Sequence, residues 1–237
     1  MTNRLRGCAV LFLVFLTCAC NKAADAGGEG MKGASTASPK DAGFKRYQIE
    51  SGIVQSELSG AQKGSETLYF DRWGMREAKY TNSVLTIAGM TQKSNTLNLI
   101  DGDWIYVIDL DKRTGTKTQN PLLKQIADRA ANKDLSELGE KMMRDMGAEK
   151  TGTEEVAGKM CDVWEVKNLR TKSWVWKSVT LKVQVNMGAM EMNSTATRFE
   201  EGASVPADRF AIPSDVKITE GPDVKGLLEG MKKGAKR

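Results

Sequence analysis

Histidine is absent from all 237 residues. That excludes Ser-His-Asp and Cys-His nucleophilic sites, and nearly all catalytic zinc sites, which rely on His ligands. Cysteine is scarce: Cys8, Cys18, Cys20 and Cys161 make the full set of four. Three of them stand near the N-terminus, so a domain built from the remainder holds Cys161 alone and no internal disulfide. The alternation of Lys159-Met160-Cys161-Asp162-Val163-Trp164 predicts a buried, inert thiol there. No Gly-rich phosphate loop of either common spacing is present. Thirty acidic residues contain no pair that stands out for carboxylate chemistry. The expectation is a non-enzyme with no catalytic residue, no metal site and no cofactor.

Long apolar runs are lacking too. The longest, Ala9 to Leu16, falls well short of the roughly 20 residues a membrane-crossing helix needs. Arg4 and Arg6 precede it, which makes residues 1–19 read as an export signal. Loss of both arginines lowers the net charge from +5 to +3, too mild to argue for nucleic acid. Residues 20–43 are small, polar and Gly-rich, the composition of a linker that cannot bury enough surface to offset its ordering entropy. Residues 44–220 are long enough for one domain with a real core. Residues 221–237 end in Lys232-Lys233-Gly234-Ala235-Lys236-Arg237, a basic tail.

Strand signals dominate the domain. Tyr47 to Val54 opens it, with Gly52 read as a bulge. Glu66 to Asp71 and Met75 to Tyr80 follow. Asp101-Gly102 between two alternating runs, Thr96–Ile100 and Asp103–Leu110, is a strong hairpin signal. On the second run Trp104, Tyr106, Ile108 and Leu110 share one face. A helical insert interrupts the strands. Asn120 and Pro121 suit its start, and Leu122, Ile126, Leu138, Met142 and Met146 repeat at helical spacing. Strands resume from Gly152, with Val179, Leu181, Val183 and Val185 in strict alternation, and Met190 opens another. Val205 to Phe210 reads as a short helical corner. The resulting expectation is α+β: a strongly curved antiparallel sheet, a half-open barrel, with the helical insert covering its concave face.

Two resemblances extend this reading. Leu16-Thr17-Cys18-Ala19-Cys20 resembles the lipobox of bacterial lipoproteins, which implies cleavage before Cys20 and acylation of its sulfur. Asn21, in place of an Asp, implies an outer-membrane anchor facing the periplasm. Ile100 to Tyr106, the insert after it, Gly152 to Trp164 and Val205 to Pro213 are together similar to the lipoprotein-localisation fold of LolA, LolB and their relatives. The likeness is greatest to a lipid-anchored branch of unassigned function. It implies an apolar hollow for an acyl chain of a lipid or lipoprotein.

The expected function is therefore binding of an apolar ligand by a membrane-tethered, monomeric domain. Its candidate lining is Trp104, Tyr106, Ile108, Leu122, Ile126, Leu138, Met142, Met146, Val183 and Met190. The alternative is an envelope scaffold or stress sensor that meets protein partners without a bound ligand, for which Trp174 and Trp176 would be anchors if exposed.

Overall fold

The computed structural model describes residues 45–119, 143–145, 147–188 and 190–221. Twelve strands form one sheet: β1 (Gly52–Gly60), β2 (Gln62–Asp71), β3 (Arg76–Ile87), β4 (Met90–Asp101), β5 (Trp104–Asp109), β6 (Thr114–Gln119), β7 (Ala148–Val156), β8 (Lys159–Val166), β9 (Thr171–Trp176), β10 (Val179–Asn186), β11 (Glu191–Glu201) and β12 (Lys217–Glu220). Their spatial order is β12-β6-β5-β4-β3-β2-β1-β11-β10-β9-β8-β7. Two antiparallel meanders, β1 to β6 and β7 to β11, are thus joined through the β1–β11 pair. β12 adds the one parallel pairing, along β6.

The sheet is curved and unclosed. Register shifts fall at Lys150/Gly152 in β7, at Thr180/Lys182 in β10, and opposite Gln55/Ser56 in β11. Each extra residue bends its strand and raises the local twist. All three lie in the second meander, and there the bend is tightest. Backbones of β7 and β11 come within 8 Å although four strand steps separate them, a span of about 19 Å in a flat sheet.

Alternation along the strands divides the core. Phe70 packs with Val54, Cys161, Trp174, Val179 and Leu181 in one cluster. Its neighbour Tyr69 points to the other face of β2. There it joins Ala78, Leu97, Leu99 and Ile108, which Phe210 covers from the segment after β11. A 3-10 turn, Ala207–Phe210, sits where the sequence indicates a helical corner, and Arg76 lies over the Phe210 ring at 4.2 Å. A third cluster gathers Met143, Ala148, Trp164, Val166 and Val175.

Residues 45–51 close one end of the first cluster. The Arg46 and Tyr47 amides donate to the Trp73 carbonyl, and the Gln48 amide donates to that of Lys177. Tyr47 meets Phe70 edge-on at 4.8 Å between ring centroids, and its hydroxyl donates to Glu77 Oε2 at 2.5 Å. Burial, reinforced by the Glu77 carboxylate, pushes the phenol well above its ordinary 10.0. Gly52 is not a bulge: the register through it is regular, and the Phe70 ring takes the place of a side chain. A Cβ there would stand 2.7 Å from Phe70 Cζ and 3.0 Å from Phe199 Cε2.

Two expectations change. The described residues are nearly all sheet. The helical content among them is Met143–Asp145 and three 3-10 turns, so an α+β class with a helical cover is not confirmed. The residues of the expected insert, 120–142 and 146, lie outside the described ones, as do residues 1–44 and 222–237. The strand between Tyr80 and Thr96 was not legible either. β3 and β4 continue through it as one long hairpin whose turn, Ala88-Gly89, has both φ values positive (49° and 78°). That is the backbone of a tight hairpin turn.

Candidate functional site

Where β7 begins, the helical turn Met143–Asp145 leads through Gly147 into the edge of the sheet. Ala148 pairs with Val166 and Lys150 with Trp164, so these four side chains share a face. A recess of about 470 Å³ opens there, lined by Arg144, Ala148, Glu149, Lys150 and Trp164. Ala148 and Trp164 of the third core cluster face it.

Two charged lining residues, Lys150 and Glu149, are ion-paired. Lys150 Nζ lies 2.9 Å from Asp162 Oδ1, and Lys167 Nζ engages Glu149 at 2.6 Å. Trp164 is 4 % exposed, yet its indole N–H has no hydrogen-bond partner. An indole nitrogen can only donate, and a buried donor left unpaired costs about 1–3 kcal/mol. The Trp164 ring borders the recess while its N–H is sealed from water by neighbouring side chains, so an oxygen acceptor would reach it only once those side chains move aside.

Residues singled out from sequence scatter across the structure. Trp104, Tyr106 and Ile108 do share one face of β5, with Ile108 fully buried in the second cluster. Trp104 is half-buried under the Lys117 ammonium, 3.7 Å from its ring centroid. Val183 is on the opposite face. It is level with Ser194 and Leu58, whereas Ile108 is level with Leu97, Tyr80, Thr67 and Gln55. Leu58 and Gln55 are an odd number of residues apart on one strand, so they point to opposite sides. Val183 thus cannot line one hollow with Trp104, Tyr106 and Ile108 through that sheet. Met190 is half-buried at the turn before β11. Leu122, Ile126, Leu138, Met142, Met146 and Cys20 lie outside the described residues.

Sequence reasoning missed Trp164 as a site residue. It placed the indole on a strand, but the unpaired N–H depends on which side chains reach it across β7 and β9. Trp174 is core, 4 % exposed, and its indole donates to Glu154 Oε2 at 2.8 Å. Trp176 packs against Phe199. Cys161 is a buried free thiol whose pKa burial pushes up to about 11. Among the described residues no group of acidic and cysteine side chains is placed to hold a metal ion, and no helix is long and apolar enough to cross a membrane.

No protein-family profile matches the chain, and no curated protein does. Solved structures share part of its shape. An uncharacterized conserved protein from Thermus thermophilus is 8% identical at a TM-score of 0.46, covering 73% of this chain and 93% of its own. MucB is 12% identical at a TM-score of 0.38, covering 73% of this chain, which spans 60% of MucB. An outer membrane lipoprotein-sorting domain from Vibrio parahaemolyticus is 10% identical at 0.24, covering 68% and 89%. Likenesses at TM-scores below 0.5 transfer no function to this chain.

Proposed function

We propose that the chain is an envelope lipoprotein, acylated at Cys20 and held at the outer membrane facing the periplasm, whose domain binds the acyl chain of a lipid or lipoprotein. One observation carries the binding: the buried, unpaired N–H of Trp164, whose ring borders a recess lined by Ala148 and the charged side chains of Arg144, Glu149 and Lys150. A fatty acyl carboxylate or ester oxygen would accept from Trp164 while Arg144 and Lys150 offset its charge. The tail would enter beside Ala148 and the Trp164 ring. Hydrogen bonds to charged acceptors are the stronger class, about 1.5–3 kcal/mol, and each buried methylene adds ~0.8 kcal/mol. The chain's own residues bind and shield the ligand, and no covalent step is involved.

Native mass spectrometry of gently purified protein tests this. Retained lipid, or uptake of one dodecanoate per chain, supports the reading. Protein that stays empty after incubation with dodecanoate and with phospholipid contradicts it.

A further inference from the structure

Six large apolar side chains are exposed among the described residues. Four of them, Ile87, Met90, Leu169 and Met187, stand on turns at one end of the sheet. The strand order makes those turns successive: β3/β4, then β1/β2, then β10/β11, then β8/β9. Hydrogen bonds tie each to the next. The Thr86 amide donates to the Ala61 carbonyl, Ala61 to Glu191, and Asn186 to Arg170. The rim is therefore one connected edge, with hairpin tips roughly 10 Å apart. Met90 is the most exposed of the four, at 72%.

Basic side chains stand beside these apolar points. Lys63 and Lys93 flank Val84 from both sides, three residues behind the β3/β4 tip. Arg170 is exposed beside Leu169. None of the three has an ion-pair partner among the described residues. Of the acids nearby, Glu149 is engaged by Lys167 and Glu165 by Lys172, while Glu57 and Glu191 are exposed with no ion pair among the described residues.

We infer that this rim docks on an anionic lipid bilayer, with Ile87, Met90, Met187 and Leu169 entering the headgroup region and Lys63, Lys93 and Arg170 meeting lipid phosphates. Separate apolar points on projecting turns offer a protein partner no continuous patch. A fluid interface takes each point individually, and basic residues beside it add electrostatic attraction. Neither the Trp164 recess nor acylation of Cys20 is needed for this contact.

Vesicle flotation of the unacylated chain from Asn21 to Arg237 tests it. Vesicles of three parts phosphatidylethanolamine to one part phosphatidylglycerol should carry the protein up, and pure phosphatidylcholine should carry at least tenfold less. The triple variant Ile87→Ser, Met90→Ser, Met187→Ser should lose at least tenfold in binding, with Met160→Ser, at the other end of the sheet, unchanged. Should the triple variant lose its fold by circular dichroism, Lys63→Glu with Lys93→Glu serves instead and should abolish the preference for the anionic vesicles. Wild-type protein that binds neither vesicle overturns the inference, as do folded variants that float like wild type. Rim-dependent self-association without lipid would also overturn it, assigning the rim to a second copy.

Discussion

Replacing Gly52 with Ala sets two effects of known size against each other. At a position whose φ suits both residues, Gly→Ala stabilises by about 0.4–1 kcal/mol through the unfolded chain. Gly52 has no positive φ, so this gain applies to it. Its new methyl, however, would stand 2.7 Å from Phe70 Cζ and 2.9 Å from Cε1. Phe70 is fully buried and braced by Tyr47, so its ring has little room to withdraw. Overpacking of this kind costs about 1–3 kcal/mol. The expected net loss is about 1–2 kcal/mol, which lowers the melting temperature by roughly 2–8 °C for a domain of this size. Gly152→Ala is the matched control. It also lies on a strand with no positive φ, and nothing stands within 4 Å of its added methyl. It should gain between zero and about 1 kcal/mol. Urea unfolding at constant m-value reads both. Gly52→Ala as stable as wild type, or Gly152→Ala equally damaged, would refute the packing argument.

Glu77→Gln leaves the Arg46 guanidinium buried without its carboxylate, 3.3 Å away in the native protein, at side-chain exposures of 8% and 13%. It should cost about 3–5 kcal/mol in a urea titration, against about 1.5–3 kcal/mol for Tyr47→Phe, which removes one hydrogen bond to the same carboxylate. Cys161 should resist Ellman's reagent at pH 8 until the chain unfolds. Its thiol titrates near 9.0 unfolded and at about 11 folded, so the unfolded state releases its proton first. Stability should then fall as pH rises from 9.0 through about 11, and Cys161→Ala should make that fall shallower in urea midpoints measured against pH, leaving the share that the buried Tyr47 phenol contributes above pH 10.0. At Glu201 burial alone would raise the pKa, but hydrogen bonds from Lys159 and Lys177 outweigh it and hold the carboxyl below its ordinary 4.5. That contribution is present above pH 4.5 and lost as pH falls through the folded value, so Glu201→Gln should flatten the acid limb of the stability profile.

Period-two patterning made the Asp101-Gly102 hairpin and the Trp104 face readable, but the strict alternation expected from Val179 to Val185 is broken by the register shift at Thr180/Lys182, which puts Val183 on the face opposite Val179. It failed where both faces of a strand are polar. Thr91-Gln92-Lys93-Ser94-Asn95 has no apolar alternation because β5 pairs only with Thr96 onward, and residues before it extend past that neighbour. The parity error over Val183 has a similar origin. One strand's pattern gives two faces but not which face joins a distant strand, and that follows from registers across six neighbours. Gly52 showed the opposite failure, a glycine kept for the rings above it and not for a backbone irregularity. The recess around Trp164 was unreadable because a missing hydrogen bond leaves no trace in composition or spacing.

Binding at the Trp164 indole is the central claim, and nitrogen–proton correlation spectroscopy reads it directly. Five tryptophans give five indole cross-peaks, and Trp164→Phe identifies the relevant one by its loss. On titration with dodecanoate that peak should move downfield and saturate, dodecane should not reproduce the shift, and Trp164→Phe should weaken dodecanoate binding roughly 10- to 100-fold. A Trp164 cross-peak that stays in place while dodecanoate binds, or that never shifts saturably, would contradict the account.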